Sequence, residues 1–288
     1  MLRRPCAAGA AEFRASFYDL YAGLVSISGL FFDVPESDRL VVIIHGLGGS
    51  AASPYGLKAA RAAQRAGVTS LCLSMRGADG SGADIFHGGL TEDLWVALSS
   101  PELRRFRKVS LLGFSVGGHI AIKGALDGVD PRLCSVAAIC PPLDLDAATI
   151  AFDHPSRRLY RRHIFDCLNR NYTATAARME GLVPPEVVKR SASCRERDAL
   201  TVVPRFGFAN VKDYSESESV IRRIHRLEVP TLLVAAKHDP IIPFETVLPG
   251  LGRASKALTI RAVENGGHVY FPKSLDLENE TIQWLMRH

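Results

Sequence analysis

The amino-acid sequence predicts an α/β fold in which a mostly parallel central sheet is flanked by helices. Six short apolar runs are bounded by turn residues, a pattern typical of strands buried on both faces of a parallel sheet. Helical patterns alternate with these runs, as the crossover connections between parallel strands require. The chain has 288 residues, which is enough for one large α/β domain with its own core.

The first predicted strand is R-L-V-V-I-I at residues 39–44, which runs directly into His45 and Gly46. The other five apolar runs cover residues 69–75, 108–114, 134–140, 230–236 and 257–263. Among the helices, residues 54–66 are rich in alanine, start at Pro54 and stop before Gly67. Thr91 precedes two acidic residues and is expected to cap a helix over 91–99. Further helices are predicted over residues 116–126, 243–248 and 275–286.

One segment interrupts the alternation of strand and helix. From residue 143 to about 206 there is no clear strand, and arginines recur among amphipathic helical stretches such as 156–169. We therefore predict a core of residues 1–142 and 207–288 with a helical cap inserted at 143–206. This insertion is either a solvated helical subdomain or a lid over an active site, and the chemistry below favours the lid.

Composition excludes several classes of protein. Apolar residues make up 47% of the chain, which excludes wholesale disorder, and the net charge of +5 is spread along the sequence rather than gathered in a block. We therefore expect no nucleic-acid partner. No apolar stretch is long enough for an integral membrane segment, and Glu12 and Arg14 end the short apolar patch after the N-terminus too early for a signal peptide.

The six cysteines contain no C-x-x-C pair, so neither a zinc site nor a thioredoxin-type motif is predicted. Cys72, Cys134 and Cys140 lie in apolar runs and are expected to be buried. This usage is typical of a reducing compartment, so the expected location is cytoplasmic.

A candidate nucleophile lies at Gly113-Phe114-Ser115-Val116-Gly117, which fits G-x-S-x-G. A buried strand runs into this pattern and a helix rich in small residues runs out of it. That context predicts a nucleophile elbow, a strained turn that raises the serine hydroxyl above the sheet. The alternative is a glycine-rich strand–helix junction with an idle serine.

A serine hydroxyl needs a base, and the base needs a carboxylate to orient it. Asp239 follows the fifth predicted strand and His268 follows the sixth, so both are placed at the edge of the sheet where such folds carry their sites. We predict the catalytic triad Ser115, Asp239 and His268. The alternatives left open are Asp144 as the acid and His238 or His119 as other histidines near the site.

The segment His45-Gly46-Leu47-Gly48-Gly49-Ser50 follows the first predicted strand. Its flexible turn lets a backbone N–H point at the nucleophile, so we predict an oxyanion hole built from the N–H groups of Leu47 and Val116. A phosphate-binding loop is the alternative, but the segment lacks the Lys-Ser/Thr ending of a P-loop.

These motifs identify a resemblance to the α/β-hydrolase superfamily, and within it to the bacterial YheT-like hydrolases and their eukaryotic lipase relatives. The segments that carry it are H-G-L-G-G-S, M-R-G-A-D-G-S-G-A-D-I-F-H-G-G-L-T-E-D-L from Met75, G-F-S-V-G-G-H, F-G-F-A-N-V-K-D-Y from Phe206, A-A-K-H-D-P and G-G-H-V-Y-F. The resemblance implies an α/β-hydrolase fold and a serine hydrolase of the esterase or lipase type. It also singles out residues for which we predict only structural roles, namely Arg76, Gly77, His87, Thr91, Glu92 and Asp93.

The chain departs from the pattern of these proteins in two places. Lys237 and His238 precede Asp239, where the family often has two consecutive acids. Relatives usually open with a β-hairpin, whereas here only residues 26–34 are expected to supply strands. The second departure bears on membrane attachment more than on catalysis.

The function predicted from these residues is hydrolysis of a small-molecule or lipid carboxylic ester through an acyl-enzyme, with no metal or organic cofactor. The alternatives are an acyltransferase that uses the same triad and a non-catalytic binding protein on a hydrolase fold. The acyl length, the leaving alcohol and the oligomeric state are left open.

Overall fold

The structure is a computed structural model that describes residues 9–252 and 255–288. Its central feature is a sheet of eight strands in the order β1-β2-β4-β3-β5-β6-β7-β8. The strands are β1 (Ala11–Asp19), β2 (Gly23–Phe32), β3 (Arg39–Ile44), β4 (Thr69–Ser74), β5 (Lys108–Phe114), β6 (Leu133–Ile139), β7 (Thr231–Ala236) and β8 (Leu258–Val263). β1 and β2 are antiparallel to each other, β2 is antiparallel to β4, and every other neighbouring pair is parallel. The predicted α/β fold with a mostly parallel sheet is confirmed.

The helices alternate with the parallel strands and also fill the segment between β6 and β7. They are α1 (Pro54–Arg65), α2 (Glu92–Leu98), α3 (Val116–Asp127), α4 (Leu145–Asp153), α5 (Arg158–Ala176), α6 (Pro185–Val188), α7 (Cys194–Leu200), α8 (Val202–Phe206), α9 (Val211–Glu218), α10 (Phe244–Leu251) and α11 (Leu277–Met286). The strand-free segment therefore extends past residue 206, because α9 follows α8 before the chain returns to the sheet.

The core lies on both faces of the sheet because the side chains of each strand alternate between them. In β3, Leu40, Val42 and Ile44 join one buried cluster, together with residues of α2 and α3. Val41 and Ile43 join the other, which includes residues of α1 and α11. This two-sided burial explains why the strand is an unbroken apolar run.

The expectation for the N-terminal region is wrong. Residues 11–19 form a full strand, so β1 and β2 make an antiparallel hairpin that the sequence analysis reduced to residues 26–34. The missed strand alternates Phe13, Ala15 and Phe17 with polar residues, and it buries one face only. A search for unbroken apolar runs does not detect such a half-exposed strand.

Two smaller expectations are also corrected. Thr91 precedes α2, but its side chain makes no capping hydrogen bond, since its own backbone is already helical (φ −100°, ψ −9°) rather than extended. Cys134 is only half-buried, whereas Cys72 and Cys140 are buried as expected. The five cysteines that the structure describes are free, and Cys6 lies outside the described residues.

No helix within residues 9–252 or 255–288 is both long enough and apolar enough to cross a membrane.

Candidate active site

The turn between β5 and α3 places Ser115 at the carboxyl edge of the sheet. Ser115 has φ 54° and ψ −125°, a backbone conformation that costs a side-chain-bearing residue on the order of 1–3 kcal/mol. The two flanking glycines permit the tight turn. A Cβ on Gly113 would lie 2.1 Å from the carbonyl oxygen of Gly117, and one on Gly117 would lie 2.4 Å from the carbonyl oxygens of Ile44 and His45. The strained serine is the feature that the G-x-S-x-G motif predicts.

Two loops from neighbouring strands bring Asp239 and His268 to the same place. His268 follows β8, and its Nε2 lies 2.7 Å from Ser115 Oγ. Its Nδ1 lies 2.8 Å from Asp239 Oδ2. The other carboxylate oxygen of Asp239 accepts hydrogen bonds from the N–H groups of Ile241 and Ile242 at 2.7 and 2.9 Å, which holds the carboxylate in place.

This hydrogen-bonded chain can move a proton. With Nδ1–H donating to Asp239, the Nε2 of His268 is free to accept the hydroxyl proton of Ser115. Ser115 and Asp239 are 8% and 6% exposed, so little water competes for these bonds. The three residues predicted as a triad are therefore within hydrogen-bonding distance, in the arrangement that activates a serine.

The loop after β3 lies against the nucleophile. A Cβ on Gly46 would be only 3.1 Å from the Cβ of Ser115, so the backbone of this loop approaches the serine closely. The Gly49 N–H donates to the carbonyl oxygen of Gly46 at 3.0 Å and closes a tight turn around Leu47. Leu47 and Val116 both line the cavity above Ser115. Their N–H groups are the ones that we predict to bind an oxyanion.

The structure places the alternative acid and bases elsewhere. Asp144 caps α4, accepting the N–H of Ala147 at 3.0 Å. His238 is exposed to solvent. His119 is buried in α3, where its ring nitrogens lie 2.7 and 2.9 Å from the carbonyl oxygens of Pro142 and Glu218. His119 contacts Ser115 through its backbone alone, its N–H donating to the Ser115 carbonyl oxygen at 3.2 Å. Among the described hydrogen bonds, none joins the side chain of Asp144, His238 or His119 to Ser115.

A thiol lies beside the triad. Cys140 follows β6, has φ 48°, and places its Sγ within 4.8 Å of ligand atoms of both Asp239 and His268. Burial, together with the Asp239 carboxylate, raises the pKa of this thiol and keeps it protonated. A metal ion at these three residues would have to displace the hydrogen bond between Asp239 and His268. Sequence reasoning treated Cys140 only as a buried small residue, and its nearness to Asp239 follows from the pairing of β6 with β7.

The R-G…H-G-G-L-T-E-D-L stretch builds a buried ionic cluster under the cavity. The Arg76 side chain has no exposure, and its guanidinium pairs with Asp93 at 2.7 Å and with Glu92 at 2.6 Å. Asp84, which is also fully buried, lies 3.4 Å from Arg76 and 2.5 Å from Arg205 of α8. These contacts tie the loop after β4 to α2 and to the helices inserted after β6.

His87 of the same stretch lies in an aromatic pocket. Its ring is edge-on to Phe206, Phe208 and Tyr214, with centroids 4.6, 5.6 and 5.4 Å away. Burial lowers the pKa of His87 to about 3, so the ring is neutral near pH 7. Its Nδ1 accepts the Gly89 N–H at 3.2 Å, which assigns the ring proton to Nε2.

A cavity of about 650 Å³ opens above Ser115, within the size range of small-molecule sites. The loop after β3, Ser115 and His268 line one side of it, and the helices between β6 and β7 contribute a largely apolar wall. That wall includes Leu145, Phe152, Ile164, Leu168 and Val202.

Comparison with known proteins identifies a family and several relatives of this chain. The alpha/beta hydrolase family matches residues 41–276. YheT of Escherichia coli, a candidate esterase by its name, is 29% identical over 238 residues, which are 80% of this chain and 70% of YheT. The medium-chain fatty acid ethyl ester synthase/esterase 2 of Saccharomyces cerevisiae is 26% identical over 277 residues, 84% of this chain and 59% of that protein.

Solved structures show the same fold. An esterase from Pyrococcus furiosus superposes with a TM-score of 0.63 at 17% identity, covering 96% of this chain and 92% of its own. The alpha/beta hydrolase domain-containing protein 10 from mouse superposes with a TM-score of 0.63 at 14% identity, covering 97% of this chain and 99% of the mouse chain. The strained serine at the strand–helix turn, the parallel sheet and the match over residues 41–276 show that this chain belongs to the alpha/beta hydrolase family.

Proposed function

We propose that this chain is a serine hydrolase that cleaves carboxylic esters through an acyl-enzyme. The observation that carries the proposal is the hydrogen-bonded chain from Ser115 Oγ through His268 to Asp239. The names of the Escherichia coli and yeast relatives, an esterase in each case, support the same reaction class.

The reaction proceeds in two halves. Ser115 Oγ attacks the ester carbonyl carbon while His268 Nε2 takes the hydroxyl proton, and the N–H groups of Leu47 and Val116 bind the resulting oxyanion. His268 then gives the proton to the leaving alkoxide, which departs as the alcohol. Water repeats the sequence on the acyl-enzyme, releases the carboxylic acid and restores Ser115.

The acyl chain is proposed to occupy the apolar cavity under the inserted helices, which thereby act as a cap. Each methylene that the cavity removes from water contributes about 0.8 kcal/mol, or roughly a fourfold gain in kcat/KM per added carbon until the cavity is filled. We therefore expect p-nitrophenyl esters of longer acyl chains to be cleaved more efficiently than the acetate. A variant in which the inserted helices are exchanged should change this preference.

The direct test is labelling by a fluorophosphonate probe, which reacts with activated serines. Wild-type protein should be labelled, and Ser115→Ala should lose the label together with about 10³-fold or more of the p-nitrophenyl ester turnover. Ser110→Ala is the matched control and should keep the label. Ser110 is a buried serine of β5, the strand that leads into Ser115, and its hydroxyl hydrogen-bonds Ser135. A folded wild type that is not labelled would refute the proposal and favour a binding protein on this fold.

Acyl transfer is the second candidate, because the yeast relative is named as a synthase as well as an esterase. The same triad serves both reactions, since an alcohol can replace water in the second half. Product analysis with ethanol present distinguishes them: a free acid as the main product indicates a hydrolase, and an ethyl ester indicates a transferase.

A further inference from the structure

The turn of the β1–β2 hairpin and the residues beside it carry four strongly exposed large apolar side chains. Tyr18, Leu20, Tyr21 and Leu24 are 76%, 90%, 82% and 70% exposed, and we call these four residues the tip patch. A contiguous group of this kind on the surface usually marks an interaction site.

The hairpin turn is held firmly in place. The N–H groups of Tyr21 and Ala22 both donate to Asp19 Oδ1 at 2.8 Å. Asp19 in turn pairs with Arg205 at 3.0 Å and lies 3.6 Å from Arg76. The tip patch is therefore presented in a defined position relative to the buried ionic cluster.

The register of the sheet shows which way the hairpin points. Ser28 of β2 pairs with Ser74, the last residue of β4, so residues 23–27 and the turn lie beyond the carboxyl edge of the parallel strands. At about 3.3 Å per residue, these five residues extend the hairpin roughly 17 Å past that edge. The tip patch therefore projects on the side of the sheet that carries Ser115.

Helix α5 crosses the same edge. Near its start, Arg157 Nε donates to the carbonyl oxygen of Pro240, beyond the end of β7. In its middle it packs on the loop after β3, where a Cβ on Gly48 would lie 3.3 Å from Cys167 Cβ. Towards its end, Asn171 Nδ2 donates to the carbonyl oxygen of Ala78, beyond the end of β4. The helix thus runs over the catalytic edge towards the hairpin.

The outer face of α5 is basic. Arg158–Ala176 contains four arginines and a single acidic residue, Asp166. Arg158, Arg162 and Arg170 are exposed, and so is Leu159 at 76%. One helix therefore has its inner face on the cavity, where Ile164 and Leu168 lie, and presents arginines and a leucine to solvent.

We propose that the tip patch and the outer face of α5 dock on an anionic lipid surface. Tyrosine and leucine together suit the boundary between head groups and acyl chains. Arginines on a helix face attract anionic head groups, and the charge complementarity selects this occupant over a neutral surface. The two features lie on one side of the molecule, so a single surface can contact both.

The test is co-sedimentation with vesicles of ether-linked lipids, which contain no ester to cleave and so separate binding from hydrolysis. Wild-type protein should bind vesicles of one part phosphatidylglycerol to three parts phosphatidylcholine, bind pure phosphatidylcholine far more weakly, and dissociate as salt is raised. Arg158→Ser/Arg162→Ser should weaken binding about 25-fold, at about fivefold per arginine. Leu20→Ser/Leu24→Ser should also weaken it, and both variants should keep the wild-type circular dichroism.

Two double variants serve as matched controls. Arg107→Ser/Lys108→Ser removes the same charge from the opposite, amino edge of the sheet. Leu248→Ser/Ile260→Ser removes apolar groups that are 48% and 41% exposed, one on α10 and one on β8, which is at the opposite end of the strand order from β1. Both controls should bind as the wild type does. Wild-type protein that ignores the anionic vesicles, or controls that lose as much binding as the test variants, would overturn the proposal. The proposal would also be overturned if light scattering showed a dimer that Leu20→Ser/Leu24→Ser converts to a monomer, since the tip patch would then bind a second copy of the chain.

Discussion

Replacing Arg76 tests whether the buried ionic cluster is needed for folding. The Arg76 side chain is fully buried, and its Nε donates to Asp93 Oδ1 at 2.8 Å while the Arg76 N–H donates to Asp93 Oδ2 at 2.7 Å. Asp93 is itself fully buried, so Arg76→Leu would leave a carboxylate in the core without its cation. Breaking a buried pair in this way typically costs about 3–5 kcal/mol.

The loss in the free energy of unfolding should depend on which charges remain in the cluster. Asp84 keeps a second cation in Arg205 at 2.5 Å, so the loss should be concentrated at Asp93. Removing both charges in Arg76→Leu/Asp93→Leu should therefore cost less than removing Arg76 alone. Arg76→Lys should recover only part of the loss, because an ammonium group cannot reproduce the planar fork of the guanidinium.

The measurement is urea unfolding at pH 7, in which a lower midpoint at unchanged slope reports lost stability. Arg107→Leu is the control: its pair with Asp38 is formed by side chains that are 82% and 48% exposed, and such pairs contribute at most about 1 kcal/mol. The reasoning is refuted if Arg76→Leu destabilises the protein no more than Arg107→Leu does. It is also refuted if Arg76→Leu/Asp93→Leu destabilises the protein as much as Arg76→Leu alone.

The remaining predictions concern the elbow and a buried histidine. Gly117→Ala should abolish fluorophosphonate labelling or folding, because its Cβ would lie 2.4 Å from two carbonyl oxygens at the end of β3. Gly118→Ala is the control and should keep most of the labelling and the fold, because its closest contact is at 3.1 Å. Equal behaviour of the two variants would contradict this geometry. Burial lowers the pKa of His45 to about 4 from 6.5, so the unfolded chain binds a proton below pH 6.5 that the native state does not. The free energy of unfolding should therefore fall by up to about 3 kcal/mol as the pH is lowered from 6.5 to 4. In urea unfolding across that range, His45→Gln should lose correspondingly less. An identical pH dependence in both proteins would show that His45 is not the cause.

Much of the catalytic edge could be predicted from the chain because its signals are local. An apolar run that ends in G-x-S-x-G specifies a strand, a strained turn and a helix within a few residues, and the turn at Ser115 has that geometry. Asp239 and His268 could be placed because each follows a predicted strand, and parallel strands end at one edge. The distances that join them to Ser115 come from the order of β5, β6, β7 and β8 in the sheet.

Other features could not be predicted because they depend on contacts between distant segments. Arg76, for which the sequence predicted only a structural role, is surrounded by carboxylates from three separate segments, at Asp19, Asp84 and Asp93. Arg205 of α8 pairs with Asp19 as well. Cys140 lies beside Asp239 only because β6 and β7 are neighbours. Strand β1 buries one face only, so it lacked the unbroken apolar run that marked strands β3 to β8.

The sequence by itself determined the α/β class, the elbow and the residues at the ends of the parallel strands, because hydrophobic periodicity and turn chemistry act over a few neighbouring positions. The tertiary structure alone decided where the hairpin points, how α5 lies over the cavity and which charges are buried together. Those arrangements depend on strand order and register, which bring together side chains far apart in the chain, and no local pattern records them.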